Sequence, residues 1–429
     1  MNQHDDSNSI QRARKKVKVG SARVVSSLLA SVTLVGAVSL GVSWKLVDGV
    51  AQSVTPIASS TELKSLSAPI INARRNPQTL SQDVRFRTLR SQLTALGNRL
   101  PTDSCLIVDI EGQRIISVNA DASLLPASNM KLVVAMVALD VLTPEFVFST
   151  SLVGKVNGNA IEGDAYLIGG GDPLLVTGNY PVTEPYPTFN FTRFENLFDA
   201  LRSQGITQIR GSIVGDESRY DAERFSPSLG LGIKGTEVGP LGALMVNDGV
   251  ITGNPIKPDN PALGAATEFT NTLQNNGISV TGTPKVGTAP QDLSVIAKIN
   301  SLPLSDIVAE MLTNSDNNTA ELLVKELGFA TTGVGSREAG LEVMKAKLVE
   351  WGIPLDALTF VDGSGLDRGN RLSCSSLSAL LAKDGGFGPT GLGLAIAGQT
   401  GTLRDVLGDS LGAGKLRGKT GTLTGAKSL

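Results

Sequence analysis

Residues 126–142 read PASNMKLVVAMVALDVL, and the fold class hangs on this stretch. From Lys131 to Leu142 almost every position is apolar, so no face of a helix built here suits water. At 1.5 Å per residue the segment spans about 18 Å, too short to cross a bilayer. It reads as a central helix buried in a protein interior. Ser128 and Lys131 stand at its entrance, three residues apart and therefore on one face. Backbone N–H groups at a helix N-terminus stabilise an oxyanion beside such a serine. A lysine desolvated against apolar walls holds its proton weakly and serves as a base. The bland alternative is an N-cap serine with a snorkelling lysine, and the spacing alone does not separate the two.

Composition narrows the choice. The chain has 429 residues, enough for two or three globular units, with 41% apolar residues and 4% aromatic ones. Its net charge of −2 gives no reason to expect a nucleic-acid partner. There is one histidine, His4, in a polar tail. A Ser-His-Asp triad, a Cys-His pair and a histidine zinc site each need histidine near the chemistry, so all three are set aside. No metal and no cofactor is called for. A hydrolytic base must then be Lys, Asp, Glu or a metal held by oxygens. The two cysteines, Cys105 and Cys374, read as separate thiols in preference to one disulfide.

Outward from the buried helix, the chain divides by texture. Residues 1–23 form a basic tail with Arg12, Arg14, Lys15, Lys16, Lys18 and Arg23 against Asp5 and Asp6. Val24–Trp44 then runs 21 residues without a charge, long enough to span a bilayer. The basic flank holds its N-terminal side in the cytoplasm and sends the body across. Within 24–47 an uncleaved anchor is preferred to a cleaved signal peptide. Residues 48–82 are polar and read as a linker. Arg85–Leu100 has helical periodicity, and Ser104–Ile110 with Arg114–Asn119 reads as a hairpin.

From 147 to 300, strand-like runs (Ala165–Ile168, Gln208–Val214, Ser279–Val280) alternate with Gly- and Pro-rich turns around one helix, Arg193–Gln204. This region reads as a β-rich domain inserted into a domain formed by 83–146 and 301–429. Helices return at Leu304–Leu327, Glu338–Trp351 and Ser373–Ala382, and Lys415–Thr424 reads as a last strand. The chain stops at Leu429, soon after this strand, with no further strand or closing helix expected between them, and it reads as a fragment if later residues complete a hairpin sheet. Gly169-Gly170-Gly171-Asp172 lacks G-K-[ST] and reads as a turn, not a phosphate loop. Asp362-Gly363-Ser364-Gly365 lacks G-x-S-x-G and reads as a loop shaping the site.

Two further clusters carry chemistry. In Ser315-Asp316-Asn317 the serine can relay a proton to a leaving group, and the asparagine can hold a substrate amide with both donor and acceptor. In Lys419-Thr420-Gly421-Thr422 a cation and hydroxyls on a strand edge suit a carboxylate, while Gly421 admits a substrate backbone. The Thr422 N–H is a candidate second oxyanion donor. Each cluster alone has an unremarkable explanation as a polar cap or a protected edge strand. S-x-x-K, S-D-N and K-T-G in this order form the active-site serine signature of penicillin-binding proteins and serine β-lactamases.

With these motifs stand YLIGGGDPL (166–174), VGDESRY (214–220), VGPLGALMVNDG (238–249), SDNNTAELL (315–323), DGSGLDRGNRL (362–372) and GQTGTL (398–403). On them the chain resembles the D-Ala-D-Ala carboxypeptidase/endopeptidase family, the low-molecular-mass class C penicillin-binding proteins, over most of residues 100–429. The resemblance implies an α+β fold: a β-lactamase/transpeptidase-like domain, an antiparallel sheet with helices, interrupted by inserted structure. It implies Ser128 as nucleophile, Lys131 as its base and Ser315 as proton relay supported by Lys419. Asn317 would bind the substrate amide, and Thr420, Gly421 and Thr422 its carboxylate end. Peptidoglycan stem peptides would be substrates and β-lactams covalent inhibitors. The family continues through further strands and a C-terminal helix beyond the point where this chain stops. A secreted β-lactamase shares the motifs, but no E-x-x-L-N stretch is present to activate deacylating water. A scaffold that kept the fold without turnover is the non-enzymatic rival.

Overall fold

The computed structural model describes residues 77–178, 180, 188–254 and 256–429. The basic tail, the apolar segment Val24–Trp44 and most of the expected linker lie outside the described residues. Helix α1, Pro77–Gly97, opens on a proline and starts inside the stretch expected to be linker. It rests on the hairpin of β1 (Leu106–Ile110) and β2 (Gln113–Val118), where Arg90 Nε donates to Ile115 O at 3.0 Å. A single helical turn, Ala127–Asn129, then leads into α2, Met130–Leu142.

Helix α2 is central, as its all-round apolar surface demands. Val133, Val134, Ala135, Val137 and Ala138 are fully buried. Fully burying a large apolar side chain stabilises by roughly 1.5–3 kcal/mol, so this helix alone anchors much of the interior. The exposed end of the helix is marked by Asp140, which pairs with Lys347 at 2.8 Å.

After α2 come β3 (Ser149–Asn157) and β4 (Ala160–Ile168), an antiparallel pair, then α3 (Glu195–Ser203), β5 (Gln208–Ile209) and β6 (Ile213–Asp216). Next are α4 (Pro261–Asn275), β7 (Ser279–Val280), β8 (Lys285–Val286) and β9 (Ser294–Asn300). The seven strands form one mixed sheet in the order β8-β6-β4-β3-β9, with β5 added to β4 and β7 to β5. Its core includes Leu152, Ile161, Leu167, Phe194, Leu197 and Phe269. Sequence reading expected one helix here. The second, α4, is capped by Asn260, whose side chain accepts from Leu263 N at 2.9 Å, and has Pro261 at its first position. Its Gly, Thr and Asn content hid the apolar face formed by Ala262, Ala265, Ala266, Phe269 and Leu273.

The chain then returns to α2. Around it lie α5 (Leu304–Asn314), α6 (Asn317–Thr332), α7 (Arg337–Glu350) and α8 (Cys374–Asp384). Met311, Leu312, Leu323, Val324, Leu327, Met344 and Leu348 close over it. The single helix expected over Leu304–Leu327 is two, because Ser315 adopts a left-handed conformation (φ 65°) between them. A smaller cluster joins residues 220–245 to α6 through Leu241, Met245 and Leu322.

The last expected strand is also split. β10 (Ala395–Ile396) pairs with β11 (Arg417–Gly418), and β12 (Gly421–Leu423) pairs with β13 (Ala426–Ser428). A further short strand therefore does follow the third motif, contrary to the sequence reading, because Thr424-Gly425 is a two-residue turn with Gly425 at φ 80°. Among the described residues, the strands outside the mixed sheet pair two by two.

The reading of the cysteines is overturned. Cys105, just before β1, and Cys374, at the start of α8, form a disulfide with Cα atoms 6.1 Å apart and 269 positions between them. Ser378 of α8 also bonds to Asp109 at 2.5 Å. Nothing local predicts this pairing, since it depends on the hairpin docking against a helix far along the chain. Closing so long a loop restricts the unfolded chain strongly. Replacing both cysteines by serine is expected to cost about 2–5 kcal/mol, read as a lower midpoint in urea unfolding.

Candidate active site

The turn that carries Ser128 is held in an unusual backbone. Ala127 has φ 49°, and the turn runs directly into α2, so Lys131 lies one helical turn beyond the serine. Lys131 is fully buried. Its Nζ donates to Ser128 Oγ at 3.1 Å, to Asn317 Oδ1 at 2.7 Å and to the Ser364 carbonyl at 2.7 Å. Three N–H donors thus meet three acceptors. Burial pushes this ammonium down to about 8, against the raising effect of Asp362, Asp316, Glu321 and Glu237.

The three acceptors are chemically unequal. Asn317 Oδ1 and the Ser364 carbonyl can only accept, whereas Ser128 Oγ carries a proton. When the lysine is neutral, its two N–H groups stay on the two carbonyl-type oxygens and its lone pair faces the serine hydroxyl. Such surroundings can turn a neutral lysine's lone pair towards one particular proton.

Each acceptor is itself fixed. Asn317 opens α6, and its Nδ2 donates to Glu237 O at 2.8 Å. Asp316 caps that helix by accepting from Thr319 N at 3.2 Å and Thr319 Oγ1 at 2.7 Å. Its carboxyl is raised to about 7 by burial and by the neighbouring Asp248. The Ser364 loop hangs from Glu321, one turn past Asn317, whose Oε1 accepts from Gly363 N at 3.1 Å and Ser364 N at 2.7 Å. Burial and the nearby Asp362 raise Glu321 to about 7. Asp362 accepts from Gly365 N at 2.8 Å and Asp367 N at 2.7 Å, closing the loop on itself.

A second group faces the first. The left-handed Ser315 turns the chain between α5 and α6, and its Oγ accepts from Lys419 Nζ at 2.8 Å. Lys419 also donates to Thr420 O at 2.8 Å. Burial, then the charge of Lys131, hold its pKa well below the usual lysine value. Thr420 Oγ1 donates to Thr402 Oγ1 at 2.8 Å, and Thr422 is exposed. Gly421 has no room for a side chain, because a Cβ would stand 2.7 Å from Pro126 O and 3.3 Å from Ala127 Cβ. The strand edge thus lies directly against the Ser128 turn. Ser128, Lys131 and Asn317 come together in one hydrogen-bonded set, and Ser315, Lys419 and Thr420 in another beside it.

Sequence reading missed the Ser364 carbonyl, Glu321, Glu237 and Thr402. Ser364 and Thr402 lie in the DGSG and GQTGTL stretches, which were visible as motifs without a stated contact. Glu321 lies four residues after Asn317 on the same helix face, a spacing the sequence displays.

Residues 99–254 and 252–429 match the D-Ala-D-Ala carboxypeptidase 3 (S13) family. The chain belongs to that family. Among curated proteins, this S13 chain is 27% identical to a D-alanyl-D-alanine carboxypeptidase of Actinomadura sp. over 402 residues, covering 74% of this chain and 72% of that protein. It is 29% identical to a carboxypeptidase of Mycobacterium tuberculosis over 333 residues, 75% of this chain and 70% of that one. Its fold is that of penicillin binding protein 4 (dacB) from Haemophilus influenzae, with a TM-score of 0.64 at 21% identity over 78% of this chain and 88% of that one. The S13 chain is accordingly a serine-type peptidase with a transpeptidase-like α+β fold.

Gly365 offers a test of how the S13 site is shaped. It has φ 84°, and a Cβ there would stand 1.9 Å from Ala127 O, pushing on the Ser128 turn. Gly365→Ala is expected to slow acylation by a β-lactam about a hundredfold while circular dichroism stays that of the native chain.

Proposed function

We propose that the S13 reaction of this chain runs through an acyl-enzyme on Ser128 and removes the terminal D-Ala of peptidoglycan stem peptides. The observation that carries this reading is the buried Lys131, whose partners are two pure acceptors and one serine hydroxyl. Lys131 takes the Ser128 proton as Oγ attacks the carbonyl carbon of the penultimate D-Ala. The carbonyl π electrons move to oxygen, where the Ser128 and Thr422 N–H groups act as donors. The tetrahedral centre collapses, the C–N bond breaks, and the departing amine takes a proton relayed by Ser315, with Lys419 supporting the transfer. Asn317 holds the substrate amide, and Thr420, Gly421 and Thr422 receive the carboxylate end. Water then adds to the ester carbonyl and Ser128 recovers its proton.

The same attack opens a β-lactam ring, whose nitrogen stays tethered, so penicillins act as covalent inhibitors. We place the enzyme in the cell-wall space, with Val24–Trp44 as an N-terminal membrane anchor. The Cys105–Cys374 disulfide supports an oxidising compartment. Among the described residues no helix is long and apolar enough to cross a membrane. Residues 147–300, with a core of their own, are the inserted domain.

Fluorescent penicillin is expected to label the full chain stoichiometrically, and Ser128→Ala to abolish the adduct by intact mass. A folded protein that never acquires the adduct would sink the acyl-enzyme reading, and rapid loss of the label would move the protein to the β-lactamases. The pH dependence follows from Lys131. With its pKa lowered to about 8, the lysine is protonated below that pH and cannot accept the serine proton. The acylation rate is expected to fall roughly tenfold per unit below pH 7 and to level off above about 8, measured by stopped-flow with a chromogenic β-lactam.

A further inference from the structure

Asn318 takes no part in the chemistry above, yet it is buried and uses both ends of its amide. Its Oδ1 accepts from Gly239 N at 2.7 Å, and its Nδ2 donates to Asp248 Oδ1 at 2.8 Å. Both partners belong to the 147–300 region, whereas Asn318 is the second residue of α6. Its neighbour Asn317 reaches the same region, donating from Nδ2 to Glu237 O at 2.8 Å. Two adjacent amides of α6 thus grip one backbone stretch, at Glu237 and at Gly239.

That grip bears on the base through the direction of one amide. Lys131 Nζ lies 2.7 Å from Asn317 Oδ1. A charged lysine has donors only and requires an oxygen there. A neutral lysine does not. With its two N–H groups on Ser364 O and Ser128 Oγ, its lone pair would accept an N–H from the Asn317 amide. A lone pair so occupied cannot take the Ser128 proton. In the neutral state the direction of the amide is therefore decided at its other end. Glu237 O is a carbonyl that can only accept, so it holds Nδ2 and leaves Oδ1 to the lysine.

The stretch that carries this carbonyl is itself held. Gly239 has φ 68°, and a Cβ there would stand 2.7 Å from Phe225 Cε1, while Lys257 Nζ donates to Gly239 O at 3.3 Å. Asp248, at φ 52°, also accepts from the Tyr180 hydroxyl. Asn318 ties this framework to the helix that begins with Asn317. The ionisable groups around the junction are Glu237, Asp248, Tyr180 and Lys257 from the 147–300 region, with Asp316 and Lys131 on the other side.

We propose that Asn318 is a positioning residue through which the 147–300 region keeps the Asn317 amide oxygen turned to Lys131, so that the lysine lone pair stays free for Ser128. The 147–300 region thereby takes part in the reaction without touching the reacting atoms. This inference rests on the acyl-enzyme reading given above.

The test follows acylation of the full chain by a chromogenic β-lactam in stopped flow across pH. Asn318→Ala is expected to lower the plateau rate at high pH about tenfold or more, and to move the midpoint below that of the wild type. The lower midpoint is the specific sign, because an amide N–H on the lone pair stabilises the neutral lysine. A general loosening admits water and moves the midpoint up, towards an ordinary lysine. Asn318→Asp keeps an acceptor for Gly239 N but sets a carboxylate against Asp248, and is expected to lose at least as much. Adding Asp248→Asn restores a donor towards position 318 and a carbonyl for Tyr180, so the double variant is expected to recover to within about threefold of wild type. An unchanged plateau in Asn318→Ala, a midpoint that rises, or a double variant no faster than Asn318→Asp alone overturns the inference. Wild-type protein that is never acylated overturns the acyl-enzyme reading itself, a separate result.

Discussion

A single buried ammonium organises this protein. Lys131 lies in an interior that would expel an unpaired charge at a cost of several kcal/mol, and it is retained because three oxygens from distant parts of the chain converge on it. One belongs to the turn that leads into its own helix, one to the start of α6 and one to a loop 233 positions away. Losing any of them leaves a buried donor unsatisfied. The constraint that places this lysine beside a serine is therefore the same one that locks α2, α6 and the 362–367 loop together.

Much of the remaining architecture serves those three oxygens. Glu321 holds the Ser364 backbone so that its carbonyl points inwards, and Asp316 caps the helix that begins with Asn317. Residues 219–239 clamp the same helix from outside: Arg219 forms a paired contact with Glu326 at 2.8 and 2.6 Å, and Glu237 O accepts from Asn317 Nδ2. Two carboxyls raised to about 7 lie within this shell. Their negative charge, where present, favours the charged lysine, while burial opposes it. The resulting value near 8 reflects the balance, and burial wins.

The elements easiest to read were those whose signal is local. An all-round apolar run of helical length has one stable location, the interior, and α2 occupies it. The hairpin over 106–118 and α8 also follow from nearby residues. Helix α4 was overlooked because Gly, Thr and Asn in its sequence resemble turn chemistry, although Asn260-Pro261 announces a helix start. The break at Ser315 was invisible for the opposite reason. Apolar spacing continues across it, and only a left-handed serine, tolerated because it reaches Lys419, interrupts the helix.

By itself the sequence determined the available reagents: a serine and a lysine one helical turn apart, no histidine beside them, and two further polar clusters of defined order. Those are properties of residue type and short spacing, which covalent geometry converts directly into shared faces. Tertiary structure alone decided which carbonyls turn the lysine towards the serine, that Thr402 stands beside Thr420 and that Cys105 meets Cys374. Each of these joins segments far apart in the chain. Such contacts arise from the packing of whole elements around α2, a collective energy that no local pattern encodes.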